Sequence, residues 1–303
     1  MKSIVINLIS DLERIWLKLK LLAKEKKYQD MLSSQVRRKY QWKIFRQDKL
    51  HNEGITLCKF KDKSFLFSIL LGDAIETRIL THGIWDEELL MLMSNIIDHS
   101  PDGVVIDIGA NVGAITIPLA NYYSNIIFYC FEPHPFIFRK LNKNIQINKL
   151  KNVVPIQSAI SDKEGEINFF AQIDDSNMGL SSMFELKNLT QKVVVKSITL
   201  DTFVANTHIN KISLVKVDVQ GAEIQVLKGM TKVIKELRPV VCFEHEDNLY
   251  LDGSDEIKKW ITNFMHENNY LMFQASSQLF KYLYYPLVDL KYTFNGNIIA
   301  LPM

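Results

Sequence analysis

The chain has 303 residues, 47% of them hydrophobic and 23% charged. This is ordinary globular usage, and it excludes collagen-like, low-complexity and wholly disordered readings. A formal charge of +2 hides an asymmetry, since residues 1–50 carry 13 Lys/Arg against 5 Asp/Glu and residues 51–303 carry 23 against 29. Its three cysteines give neither a disulfide framework nor zinc-ligand spacing. No uncharged apolar run approaches the ~18 residues of a membrane span, so a cytoplasmic protein is expected.

In the basic arm, residues 1–50, the positions Val5, Leu8, Leu12, Ile15, Leu19 and Leu22 recur at helical spacing. That pattern predicts an amphipathic helix with lysines off the apolar stripe. Three uses are open to residues 1–25. They could dock onto their own domain or onto a second copy of the chain, attach peripherally to a membrane whose anionic lipid attracts each lysine by about 1 kcal/mol, or stay exposed as a solvated basic helix.

Residues 51–100 predict a small α+β cap, with short strands over Ile55 to Phe60 and Ser64 to Ile69 and helices near Ala74 to Leu80 and Glu87 to Ile97. His99-Ser100-Pro101-Asp102-Gly103 punctuates the chain and marks the start of the main domain, residues 101–303. There apolar strands alternate with amphipathic helices: Val104 to Ile108, a helix over Val112 to Asn121, Ile126 to Phe131, a helix from Phe136 to Ile147, and Val153 to Gln157. The rhythm returns with Ile212 to Val217, a helix from Ala222 to Leu237, Val240 to Phe243, a helix from Asp255 to Asn268, Tyr270 to Gln274 and Asn297 to Leu301. It implies an α/β fold with a mostly parallel sheet and helices on both faces. The polar stretch Gln172 to Ser182 predicts a loop, with two uses open to it, a lid that orders with the substrate or a passive surface loop.

The densest signal is the buried strand that runs into Asp107-Ile108-Gly109-Ala110-Asn111-Val112-Gly113. A glycine-bearing turn before a helix lets the backbone approach a nucleoside and offers free N–H groups to an anion. Asn111 and Ala114 hold the second and third glycine positions of the dinucleotide fingerprint, and no Gly-Lys-Ser/Thr follows, so neither NAD nor a P-loop nucleotide is provided for. Glu132, 23 positions after Gly109 at the end of the second strand, is placed to accept both hydroxyls of a ribose. A ligand with a ribose and a small anion but no pyrophosphate describes S-adenosylmethionine.

The order Asp107-x-Gly109-x-Asn111-x-Gly113, Phe131-Glu132-Pro133, Ser158-Ala159-Ile160-Ser161-Asp162-x-x-Gly165, Leu200-Asp201 and Lys216-Val217-Asp218-Val219-Gln220-Gly221-Ala222-Glu223 resembles the FkbM family of S-adenosylmethionine-dependent methyltransferases. Gly83-Ile84-Trp85-Asp86-Glu87 resembles its upstream acidic motif, and Gln220 stands where the family usually shows Glu. The resemblance implies the seven-stranded class I methyltransferase sheet with one antiparallel strand near the C-terminus. It also implies O-methylation of small molecules or glycan and lipid-linked intermediates, with Ser158 and Ala159 edging the adenine.

Ligands in open α/β sheets lie beyond the carboxyl ends of the strands, which selects Asp218 after the fourth strand and Glu244, His245 and Glu246 after the fifth. Asp218 is the candidate that orients the acceptor hydroxyl beside the sulfonium. His245 has the ordinary pKa best suited to base work near neutrality, although a histidine tied down at a strand end explains it equally well. Asp218 with Glu244 offers oxygen ligands to Mg²⁺, but a lone carboxylate pair makes a metal requirement unexpected. Glu223 reads as a helix cap, and Lys216, two residues before Asp218, points to the same face of the strand and could pair with a carboxylate there. The alternatives are a nucleic-acid methyltransferase, against which the acidic balance of residues 51–303 speaks, and a non-catalytic S-adenosylmethionine-binding protein tethered to a membrane or partner by its arm, against which the carboxylate of Asp218 at the strand end speaks.

Overall fold

In the run Ile212–Val217 every residue is buried, the polar Ser213 and Lys216 included, so neither face turns toward water and the strand forms between two covering layers. The computed structural model describes residues 53–70, 73–171, 191–245, 254–274 and 296–303. The stripe of the N-terminal arm, the loop Gln172 to Ser182 and Glu246 lie outside the described residues.

The elements are β1 (Glu53–Phe60), β2 (Lys63–Leu70), α1 (Ala74–His82), α2 (Glu87–His99), β3 (Val104–Ile108), α3 (Thr116–Tyr122), β4 (Phe128–Phe131), α4 (Pro135–Ile147), β5 (Val153–Ile156), β6 (Ala159–Ile160), β7 (Gly165–Ala171), β8 (Gln191–Ile198), α5 (Leu200–Thr207), β9 (Ile212–Val217), α6 (Glu223–Gly229), β10 (Val240–His245), α7 (Ser254–Glu267), β11 (Tyr270–Gln274) and β12 (Gly296–Pro302). Seven strands form one sheet in the order β11-β12-β10-β9-β3-β4-β5. β12 runs against both its neighbours, and the other pairs are parallel. This is the α/β methyltransferase sheet that the resemblance implied. β6, β8 and β7 form a separate three-stranded sheet.

One face of the large sheet, with Val105, Leu214, Cys242 and Ile299, shares a hydrophobic cluster with Leu90 of α2, Ile117 of α3, Leu141 of α4 and Phe67 of β2. The opposite face, with Ile106, Val215, Phe243 and Ile298, packs on Leu200, Val226 and Ile261. The β1–β2 hairpin is therefore fastened to the main core, and burying a side chain such as Phe67 contributes roughly 1.5–3 kcal/mol. Its free edge is also closed: Asn148 accepts the Leu66 N–H at 2.7 Å and donates to the Leu66 carbonyl at 2.7 Å, while Asn144 accepts the Ser68 N–H at 2.8 Å. These carboxamides stand in for a third strand along the outer edge of β2 and satisfy its backbone groups at Leu66 and Ser68.

Two helices are shorter than their periodicity predicts. α3 begins at Thr116 instead of Val112 because Gly113, at φ 87°, interrupts helical geometry; Pro118 then falls in the first turn, where its missing N–H leaves no helical bond unmade. The helix from Ala222 stops at Gly229, where a β-carbon would lie 2.1 Å from the Ser161 carbonyl oxygen, and a π turn over Val233–Leu237 completes the segment.

Candidate active site

β3 has β4 on one side and β9 on the other, so the chain leaves β3 in opposite directions and a crevice opens beyond its carboxyl end. The turn that follows β3 lines this crevice. Gly109 at φ 79°, Asn111 at φ 51° and Gly113 at φ 87° all hold left-handed backbone, and the Gly109 and Ala110 N–H groups both donate to the Phe131 carbonyl at 3.0 Å. A β-carbon on Gly109 would lie 1.8 Å from the Asp218 carbonyl oxygen. Only glycine lets the two strand ends meet this closely.

Glu132, 5% exposed, faces the same turn. Its Oε2 accepts the Asn111 N–H at 3.0 Å and its Oε1 accepts the His134 N–H at 2.8 Å. Burial, with Asp107 adding to it, pushes the carboxyl up to about 7 against the two amides and Lys216. Each oxygen of a carboxylate has a second acceptor position, so Glu132 holds the turn and keeps capacity for two hydroxyl donors. A ribose-bearing ligand without a pyrophosphate fits these residues.

The third part is a cluster of acids around one lysine. Lys216 Nζ lies 3.1 Å from Asp107 Oδ1, 3.3 Å from Asp218 Oδ2 and 3.5 Å from the Gly109 carbonyl oxygen. The second Asp107 oxygen accepts the Thr116 hydroxyl at 2.6 Å. Asp218 also accepts from Gln220 Nε2 at 3.0 Å and shares a hydrogen bond with the Glu244 carboxyl. Burial works against the charge on Lys216, but Asp107 and Asp218 outweigh it and hold the ammonium above the usual lysine range. Burial likewise raises Asp218, yet Lys216, Gln220 and Glu244 together bring it below the usual carboxylate range. The Asp218 side chain is 31% exposed, so the carboxylate remains reachable from solvent just beyond β9.

The sequence profile of the methyltransferase FkbM domain matches residues 107–272, more than half of the chain and all three parts of this site. The chain belongs to the FkbM methyltransferase family. It is 28% identical over 144 residues to the hexuronic acid methyltransferase AglP of Haloferax volcanii, covering 48% of this chain and 56% of that protein. It is 26% identical over 165 residues to the 2-O-methyltransferase NoeI of Sinorhizobium fredii, covering 50% of this chain and 67% of that protein. The match thus spans little more than half the length of the first relative. Among solved structures, the methyltransferase FkbM of Methylobacillus flagellatus superposes with a TM-score of 0.42 at 12% identity, covering 65% of this chain and 43% of that one.

In this FkbM-family chain the structure brings Asp107, Gly109, Asn111, Gly113, Glu132, Asp218 and Glu244 to one crevice. Asp107 has both oxygens engaged by Thr116 and Lys216, so it anchors the turn from beneath. His245 is 1% exposed and follows Glu244 directly in β10, which places it on the opposite face of the sheet. Ser158 donates to the Lys196 carbonyl at 3.1 Å, and Ala159 packs with Phe169 and Val195 of the small sheet. Glu223 accepts the Gly221 N–H at 3.1 Å at the start of α6, the capping part read from the sequence. Among the described residues, no group of three or more His, Cys, Asp and Glu is arranged to hold a metal ion, and no helix is long and apolar enough to cross a membrane.

Sequence reasoning missed Thr116 and Asn297, and read Gln220 only as a departure from the family pattern. Gln220, at φ 51°, turns back onto Asp218. Asn297 sits opposite Glu244 in the β10–β12 register and donates to Asp86 of the upstream acidic motif at 3.5 Å. That contact carries residues 83–87 to the acid end of the crevice. The strand parity of Lys216 was the readable signal, since Lys216 and Asp218 are two apart.

Proposed function

We propose that this chain transfers the methyl group of S-adenosylmethionine to a hydroxyl of a small molecule or of a glycan or lipid-linked intermediate. The observation that carries the reading is Glu132: a buried carboxylate, closed over the turn by two backbone amides and with acceptor capacity to spare, suits a ribose diol. The amides of the turn around Gly113 suit the small anion of the donor. The acidic surroundings suit a sulfonium cation, which supplies a methyl carbon already activated toward displacement.

The protein then has chiefly to align and dehydrate. Asp218, ionised and partly exposed at the crevice, accepts a hydrogen bond from the acceptor hydroxyl and points its lone pair along the line of attack. As the oxygen–carbon bond forms and the carbon–sulfur bond breaks, the hydroxyl proton passes to Asp218 and on to solvent. The relation to AglP, a hexuronic acid methyltransferase, supports a sugar as acceptor, and that to NoeI, a 2-O-methyltransferase, supports a hydroxyl oxygen as the atom methylated. The net −6 of residues 51–303, from 23 basic against 29 acidic residues, speaks against a phosphate-tracking surface. Calorimetry with S-adenosylmethionine on the protein and on Glu132→Ala tests the donor half, and equal affinity for both sinks it. A labelled-methyl transfer screen in extracts of the source cell tests the acceptor half.

A further inference from the structure

Lys216 is the buried cation of the crevice, 6% exposed, and the transfer described above gives it no part. A lysine ammonium has three donors, and here three acceptors meet it, Asp107 Oδ1, Asp218 Oδ2 and the Gly109 carbonyl. Among the described residues, the groups that face this cluster are Asp107 from β3, Cys130 from β4, Glu132 after it, Cys242 and Glu244 from β10, with the neutral Thr116 and Gln220. Both thiols are pushed up, mainly by burial, and stay neutral, so the ionisable partners of Lys216 are the carboxyls.

Two of those carboxyls, Asp218 and Glu244, hydrogen-bond to each other, which requires one proton between them. The ammonium lies against Asp218. We propose that Lys216 is a positioning residue that decides which acid of the Asp218–Glu244 pair is ionised, fixing the charge on Asp218 and leaving the shared proton on Glu244. By also holding the Gly109 carbonyl and Asp107, the same side chain ties the charge state of the acceptor acid to the turn that receives the donor. The assignment deepens the methyl-transfer reading, because an ionised Asp218 is the group that reading needs.

Carbon-13 NMR of the full chain labelled at the Asp and Glu carboxyls tests it directly, with Asp218→Asn and Glu244→Gln used only to assign the two signals. Expected is a wild-type Asp218 signal that stays ionised from about pH 8 down to about pH 5, with Glu244 the acid of the pair that carries the shared proton. An Asp218 signal that titrates within that range, or an ionised Glu244 beside a protonated Asp218, overturns the proposal. Urea unfolding supplies a second test. The midpoint of Lys216→Met should lie furthest below wild type at about pH 8 and approach it as the pH falls, because an uncompensated Asp218 relieves its burial by taking a proton. Lys216→Met/Asp218→Asn should show a smaller pH dependence, with Asp107 then the one ion-pair partner of Lys216 still left without its cation. A gap that is constant with pH would assign Lys216 a space-filling role, and a pH dependence no smaller in the double variant would show that Asp218 is not the group it holds ionised; either result overturns the proposal. Neither measurement contains S-adenosylmethionine, so a failure to bind the donor would overturn the proposed function without touching the charge assignment.

Discussion

The Asn111 backbone N–H donates to Glu132 Oε2 at 3.0 Å, so the left-handed residue at the tip of the turn is held by the acid that closes the next strand. With its carboxyl pushed up to about 7, mainly by burial, Glu132 is partly protonated near neutrality. Hydroxyl donors favour the ionised form, so binding of S-adenosylmethionine should release a proton. Affinity measured by calorimetry should strengthen as the pH rises toward about 7, by up to about tenfold per pH unit, and level off above it. Glu132→Gln should bind roughly 10- to 150-fold more weakly, the worth of one charge-assisted hydrogen bond, and should show no pH dependence. A wild-type affinity that does not change with pH would contradict this account of Glu132.

Gly113 and Gly165 separate two costs of a left-handed backbone. Both have positive φ, 87° and 113°, but a β-carbon on Gly113 would meet Ile117 Cγ1 at 2.8 Å and Leu141 Cδ1 at 2.9 Å, whereas one on Gly165 would meet nothing within 4 Å. Gly165→Ala should cost only the backbone term, roughly 1–2 kcal/mol. Gly113→Ala should add overpacking of about 1–3 kcal/mol and weaken donor binding, because relief requires the turn or α3 to move. Urea unfolding of the two variants checks the order, and equal losses would remove the packing argument.

The parts of the site that were legible in the sequence are those fixed by local chemistry. The apolar strand before Gly109, the turn residues and an acid 23 positions on could all be read because each constrains its own backbone. The lysine hub was legible in part: two residues before Asp218, Lys216 takes the same strand face by parity and could pair with a carboxylate there, as it does with Asp218 at 3.3 Å, but its pairing with Asp107 was hidden, since the two are 109 residues apart. His245 shows the limit of that parity: being one residue from Glu244 puts it across the sheet, and a register known to within one residue cannot choose between faces. The early end of α6 was equally hidden, because Gly229 yields to the carbonyl of Ser161, which belongs to another part of the chain.

Glu76 and Lys140 form a buried ion pair between α1 and α4, with Glu76 also accepting the Leu70 N–H at the end of β2. Burial outweighs the lysine and pushes Glu76 up from 4.5 to about 7. The folded state therefore favours the neutral acid. Its contribution is complete below about pH 4.5 and is lost as the pH rises through about 7, the reverse of a salt-bridged surface carboxylate. Removing the partner in Lys140→Met should leave an uncompensated buried charge at about pH 8, with a loss of about 3–5 kcal/mol. The loss should shrink at about pH 5.5, where Glu76 takes up a proton. Glu76→Gln/Lys140→Met should recover much of the stability at the higher pH, because no charge is then stranded. Urea unfolding at the two pH values checks all three statements. An equal loss for Lys140→Met at both would show that Glu76 stays ionised in the fold and that the pair fastens the cap by attraction alone.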